Sequence, residues 1–238
     1  ANEAVQEWTW RNKVEDAEAR LRGDITWIFL WSAEKYASRP CVDAQLAAMA
    51  SAVIESGETL PPMPVATVLD LQRVVYMPNR PWRFPVWGAL LADGTASHFD
   101  TQRQAVFGRI SDGLVLSRES QSDERRLGGR LLLMRDAIPL DPGVRTSLLA
   151  DINNLRSIAA YDALNARQRM RLIADAGLAP PEAMVERFMN ASGEQPVGVD
   201  FSGIAHFCTL HDLPFADWRE YRKLPATNIL YPNAGVAK

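Results

Sequence analysis

Cysteine and histidine are scarce in this chain: Cys41 and Cys208 are the two cysteines, and His98, His206 and His211 are the three histidines. No CxxC pair, His-Glu-x-x-His helix, Gly-x-Ser-x-Gly elbow or glycine-rich phosphate loop occurs, which removes the common metal, nucleophile and nucleotide signatures. Long apolar runs are missing as well. The nearest, over residues 25–33, falls far short of the roughly 20 residues that cross a bilayer, so the chain as it stands is expected to be soluble. Positive charge is not in excess: the net charge is −3 and the isoelectric point about 5.7. That balance excludes the concentrated basic footprint of a nucleic-acid binder. Internal repeats and low-complexity tracts are absent.

What is present suits an ordinary globular chain. Hydrophobic residues make up 47% and charged residues 23% of 238 positions. A chain of that size buries roughly 70% of its unfolded surface without metal or disulfide staples. Apolar residues recur at three, four and five positions through Val14, Ala17, Leu21, Ile25, Ile28, Trp31 and Tyr36, with charges mainly off the stripe. This spacing predicts a long helix over 4–37. Ser38 and Pro40 mark a stop and restart, and a second helix is expected over 41–55 before Gly57.

Six prolines between 58 and 87 (61, 62, 64, 78, 81 and 85) forbid a continuous helix there. Short helices are expected over 66–75 and 86–92. Asp100 caps a third long helix reaching about 136, with a bend near Gly128-Gly129, where strongly polar residues 117–126 meet paired glycines. Asp141-Pro142 opens a fourth long helix that stops at Gly177, and Pro180-Pro181-Glu182 opens a fifth, ending near 193. Residues from about 194 read as an irregular segment with a short helix over 212–223. Its apolar residues, Phe207, Leu213, Phe215 and Trp218 among them, predict that it wraps the bundle. Alternating strand patterns are lacking, so little or no sheet is expected. The fold class is therefore all-α: one helical domain over 1–238, with about four long helices, several short ones and a C-terminal wrap.

Few residues carry a chemical signal. Tyr76, Trp82, Phe84 and Trp87 cluster on the proline-rich connection, where aromatics either plug a bundle end or wall a pocket. In the second role these four are the candidate ligand-binding residues. His206, Cys208 and His211 offer imidazole and thiolate within six residues, the preferred ligands of zinc and copper. They match no closed zinc spacing, and no metal or other cofactor is expected. Adjacent acids such as Glu15-Asp16 and Asp123-Glu124, and the arginines Arg125-Arg126 and Arg167-Arg169-Arg171, read as solvated helix faces. Cys41 and Cys208 either form one disulfide, if the chain lives in an oxidising compartment, or stay buried as free thiols.

The amino-terminal segment speaks to location. The chain starts with Ala and without a disordered preamble, suggesting that an upstream piece, such as a membrane anchor, has been removed. Trp8 and Trp10 beside Arg11 and Lys13 have the chemistry found where a helix leaves a bilayer; the alternative is that both rings pack on the C-terminal segment.

Glu7-Trp8 with Arg11, followed by Ala19-Arg20-Leu21-Arg22-Gly23-Asp24-Ile25, resembles the segment after the single N-terminal span in a group of uncharacterised bacterial membrane-anchored proteins. Residues 86–94, Val-Trp-Gly-Ala-Leu-Leu-Ala-Asp-Gly, are similar to a second motif of that group. The resemblance spans about 25 residues and implies a helical extracytoplasmic part, with no catalytic assignment. The leading expectation is an extracytoplasmic helical domain, anchored to the inner membrane upstream of Ala1, that recognises a small molecule or an envelope protein. A cytoplasmic helical adaptor binding a protein partner is one alternative. A metal-dependent enzyme using His206, Cys208 and His211 is the other, although the missing motifs lean away from an enzyme.

Overall fold

Residues 2–68, 71–190 and 202–223 are described by a computed structural model, and the fold is all-α. Helix α1 (Asn2–Ala37) runs into α2 (Arg39–Glu55) across one residue. Ser38 itself keeps helical dihedrals, donates its N–H to Glu34 O and accepts at its carbonyl from Val42 N. Pro40 has no N–H to continue the ladder, which places the seam. The expected stop and restart lies where the sequence places it, across one residue in place of three.

The connection that follows corrects an expectation. In place of a helix over 66–75, strands β2 (Ala66–Val68) and β3 (Leu71–Arg73) pair antiparallel. Val65, Thr67, Val68, Val74 and Val75 supply β-branched residues, which suit extended backbone. A second small pair joins β1 (Thr59–Leu60) to β4 (Ile138–Pro139). Helix α3 (Pro85–Ala92) and a 3-10 turn (Thr95–His98) close the connection.

Helices α4 (Thr101–Leu131) and α5 (Pro142–Asp175) begin where their caps predict: Asp100 accepts from Arg103 N and Asp141 from Val144 N, each at 2.8 Å. Helix α4 passes through Gly128-Gly129 without a break and tightens to a 3-10 turn only over Leu132–Arg135. Helix α5 ends at Asp175, and just beyond it Gly177, with φ of +69°, lets Leu178 N reach back to Ile173 O. Arginine closes the other end of the architecture. Arg145 on α5 donates to the carbonyls of Val53, Ile54, Ser56 and Gly57, filling the acceptors at the end of α2.

Helix α5 packs along α1, α2 and α4. Around it lie two apolar regions. One joins α1 from Ala17 to Ala37, α4 from Val106 to Leu114, the aromatics Trp82, Phe84, Trp87 and Phe99, and α6 (Glu182–Asn190). The other joins α2, the end of α4 and the first half of α5, from Leu148 to Ala159.

The tail differs from expectation in where its helix lies. Ser202 caps α7 (Gly203–Leu210) by accepting from Ala205 N, whereas 212–223 holds an extended stretch and a 3-10 turn at Trp218–Lys223. Trp218 and Tyr221 pack on Phe29 of α1, and Arg167 and Arg171 hold the carbonyls of Glu220 and Arg222. The wrap is thus real over 202–223. Residues 194–201 and 224–238 of the expected wrap, and the end of the fifth helix near 193, lie outside the described residues.

Candidate functional site

The two apolar regions are separated by a polar layer that obeys the same helical phase. On α1 the buried stripe Leu21, Ile25, Ile28 continues at three-four spacing into Ser32 and Lys35. On α4, Ile110 and Leu114 lead into Ser117, Gln121 and Glu124 before Leu127 and Leu131 resume the core. On α5, Leu148 and Leu155 are followed at steps of seven by Asp162 and Arg169. All seven polar side chains are 5% exposed or less. Glu124 and Arg169, read from sequence as solvated, are therefore interior: their helical phase overrides their charged neighbours.

Burial of charge demands partners, and these are present. Lys35 Nζ donates to both oxygens of Glu124, at 2.5 and 2.6 Å, and lies 3.3 Å from Asp162. Glu34 receives a bidentate fork from Arg80 at 2.6 and 2.8 Å. Arg169 donates to Ser32 Oγ, Ser117 Oγ and the Gly113 carbonyl, and its guanidinium lies 5.0 Å from the Trp82 ring centre. Lys35 thus serves Glu124 and, as an ion pair, Asp162; Arg80 serves Glu34; and Arg169 meets neutral oxygens and a ring.

Burial pulls the Lys35 ammonium down, but Glu124 and then Asp162 outweigh it, so its pKa ends above the ordinary lysine value. Burial pushes the Glu124 carboxyl up; Lys35 opposes this and the Asp162 charge adds to it, leaving it above the usual carboxylate range. Arg80 is held above its ordinary value: burial acts to lower it, and the hydrogen bonds and charge of Glu34 prevail.

Two glutamines hold the extended segment that carries Arg80. Gln45 accepts from Tyr76 N and donates to Tyr76 O, while Gln121 accepts from Arg80 N and donates to Arg80 O. Each side-chain amide stands in for a neighbouring strand. Arg118 then donates to the Trp82 carbonyl.

The four aromatic candidates fall into two separate places. Trp82, Phe84 and Trp87 are buried in the first apolar region, Phe84 and Trp87 with their rings against Phe107. Tyr76 packs on Phe207 beside Cys41 and Cys208. Its hydroxyl sits so close to α7 that a Cβ on Gly203 would meet it at 2.9 Å. Cys41 and Cys208 are bonded to each other across 167 residues and wholly buried, pinning α7 to the start of α2. This disulfide consumes the thiolate that the metal reading required, and His206 and His211 are exposed. Among the described residues no group of three His, Cys, Asp or Glu side chains is placed to hold a metal ion.

At the amino end of α1, Trp10 stacks on His98 at 3.8 Å with Lys13 beside its ring, and Trp8 is 64% exposed. Among the described residues, neither indole makes a ring contact with the C-terminal segment. No helix among the described residues is long and apolar enough to cross a membrane.

One concave feature adjoins the polar layer, and the sequence did not single it out. A cleft of about 200 Å³ lies between residues 72–79 and α4 from Gln121 to Leu132. Glu124 reaches it from within, Val75, Met77, Pro78 and Leu132 give it an apolar surface, and Gly128-Gly129 form part of its wall. The glycine pair was its one sequence signal. Comparison with protein-family models, curated proteins and solved structures finds no match to this chain.

Proposed function

We propose that the chain is the extracytoplasmic recognition domain of a bacterial envelope protein, held to the inner membrane by a segment that precedes Ala1. The buried Cys41–Cys208 disulfide carries this reading. Such bonds form and persist in oxidising compartments and are rare where thiols are kept reduced. Trp8, exposed near the start of α1 beside Arg11 and Lys13, adds the amphipathic chemistry that suits a membrane interface. The all-α scaffold and its cleft suit recognition of a small molecule, or of an envelope protein at the bundle surface.

The test is protease accessibility of the product of the full natural gene in spheroplasts, with thiols alkylated before lysis. Digestion from outside together with no alkylated Cys41 or Cys208 is the expected result. Protection from protease, with both cysteines alkylated, overturns the reading.

A further inference from the structure

Arg73 and Arg125 line the cleft between 72–79 and α4, and neither side chain forms a hydrogen bond or ion pair with another described residue. Their surroundings make this informative. Along the same stretch Arg126 pairs with Asp123, Arg130 with Asp151, and Arg135 with Asp136 and Gln72. The acid that the cleft does contain, Glu124, has both oxygens engaged by Lys35 from inside the bundle. Among the described residues, two guanidiniums therefore line one largely apolar cleft with no carboxylate paired to either.

The α4 wall has a second unusual feature beside Arg125. A glycine inside a helix costs about 1 kcal/mol relative to alanine, and here two occur in succession. Neither has a positive φ, and a Cβ on either would meet nothing within 4 Å. Backbone conformation and internal packing thus place no demand for glycine at 128 or 129. What the missing side chains leave is room in the cleft.

We propose that this cleft binds a small organic anion with a short aliphatic body, its carboxylate meeting Arg73 and Arg125 and its chain lying over Val75 and Met77 against the bare turn at Gly128-Gly129. Guanidinium favours carboxylate through charge-assisted, often bidentate hydrogen bonds. The volume of about 200 Å³ sets the ligand well below drug size. The inference rests on reading the domain as a recognition module, and it deepens that reading by naming a site and a ligand class.

Isothermal titration of the purified, disulfide-bonded protein with hexanoate, and with hexanol and hexylamine as neutral and cationic counterparts, tests it. Hexanoate is expected to saturate a single site, with each counterpart about tenfold weaker or worse. The double variant R73Q/R125Q is expected to lose about tenfold or more in hexanoate affinity, the scale of two lost charge-assisted hydrogen bonds. Gly128→Leu fills the cleft while improving helix propensity, so it is expected to abolish binding with the melting midpoint kept or raised. No saturation by about 10 mM hexanoate, equal binding of hexanol, or undiminished binding in Gly128→Leu overturns the proposal. Because purified protein is used, a negative titration counts against the cleft alone, and protease protection in spheroplasts counts against the location alone.

Discussion

Lys35 and Glu124, 89 residues apart in sequence, meet inside the bundle with Nζ 2.5 Å from Oε1 and both side chains 5% exposed. Asp162 stands on the other side at 3.3 Å, so one ammonium serves two carboxylates. The three groups are not equivalent. Removing the cation leaves two acids buried together, whereas removing one acid leaves a matched pair.

This asymmetry predicts opposite outcomes for two neutral substitutions. Lys35→Met is expected to cost about 3–5 kcal/mol, the scale for stranding a buried charge. Glu124→Gln, which leaves Lys35 with Asp162, is expected to change stability by no more than about 1 kcal/mol near neutral pH. Urea unfolding of both variants decides it, and equal losses would show that the acids are not redundant.

Acidity provides a second handle on the same cluster. The folded-state pKa of Glu124 is raised above its unfolded value, so the folded chain takes up that proton first. Its contribution to stability is full below the ordinary value of 4.5 and is lost as pH rises through the raised folded value. Between those two values, acidification should therefore favour the parent over Glu124→Gln. Melting midpoints of the two proteins across that window should diverge on acidification; parallel curves would contradict the cause assigned here.

The disulfide closes a loop of 167 residues and is out of reach of solvent. Cys41→Ser with Cys208→Ser is expected to cost about 2–5 kcal/mol. The loss should be local as well as global: limited proteolysis of the double variant is expected to cut first within 202–215, the segment that the bond pins. Native protein, by contrast, should resist dithiothreitol until denaturant opens it.

Arg145 fills four carbonyl acceptors at the end of α2, whereas Arg126 makes an exposed pair with Asp123 one turn away. Arg145→Ala is expected to destabilise by about 1–3 kcal/mol. Arg126→Ala should stay within about 0.5 kcal/mol of the parent. Chemical denaturation midpoints with unchanged slopes are the readout.

Periodicity made α1, α4 and α5 legible, and Asp100 and Asp141 located two of their starts almost to the residue. It failed over 66–75, where a short apolar run rich in β-branched residues fits a strand as well as a helix. It misplaced the tail helix because Ser202-Gly203 is a modest cap signal beside the more conspicuous acids and aromatics of 212–223. The polar layer is hidden in the sequence for a different reason. Charged neighbours make Asp123-Glu124 and Arg167-Arg169-Arg171 look solvated, while the phase of the stripe places Glu124 and Arg169 inward. Cys41 with Cys208 stayed open because pairing depends on how the chain folds back, which spacing does not encode. The aromatic cluster on the proline-rich connection was divided by the fold: Tyr76 lies at the disulfide, and Trp82, Phe84 and Trp87 lie in the first apolar region.

The amides of Gln45 and Gln121 grip the backbone at residues 76 and 80 from two different helices. Together they act as a gauge of chain length. A segment one residue longer or shorter between these grips leaves one glutamine facing the wrong peptide, and it also draws the Arg80 guanidinium away from Glu34 deep in the bundle. In descendants of this chain the exposed Asn79 is free to drift more readily than the number of residues between the two grips.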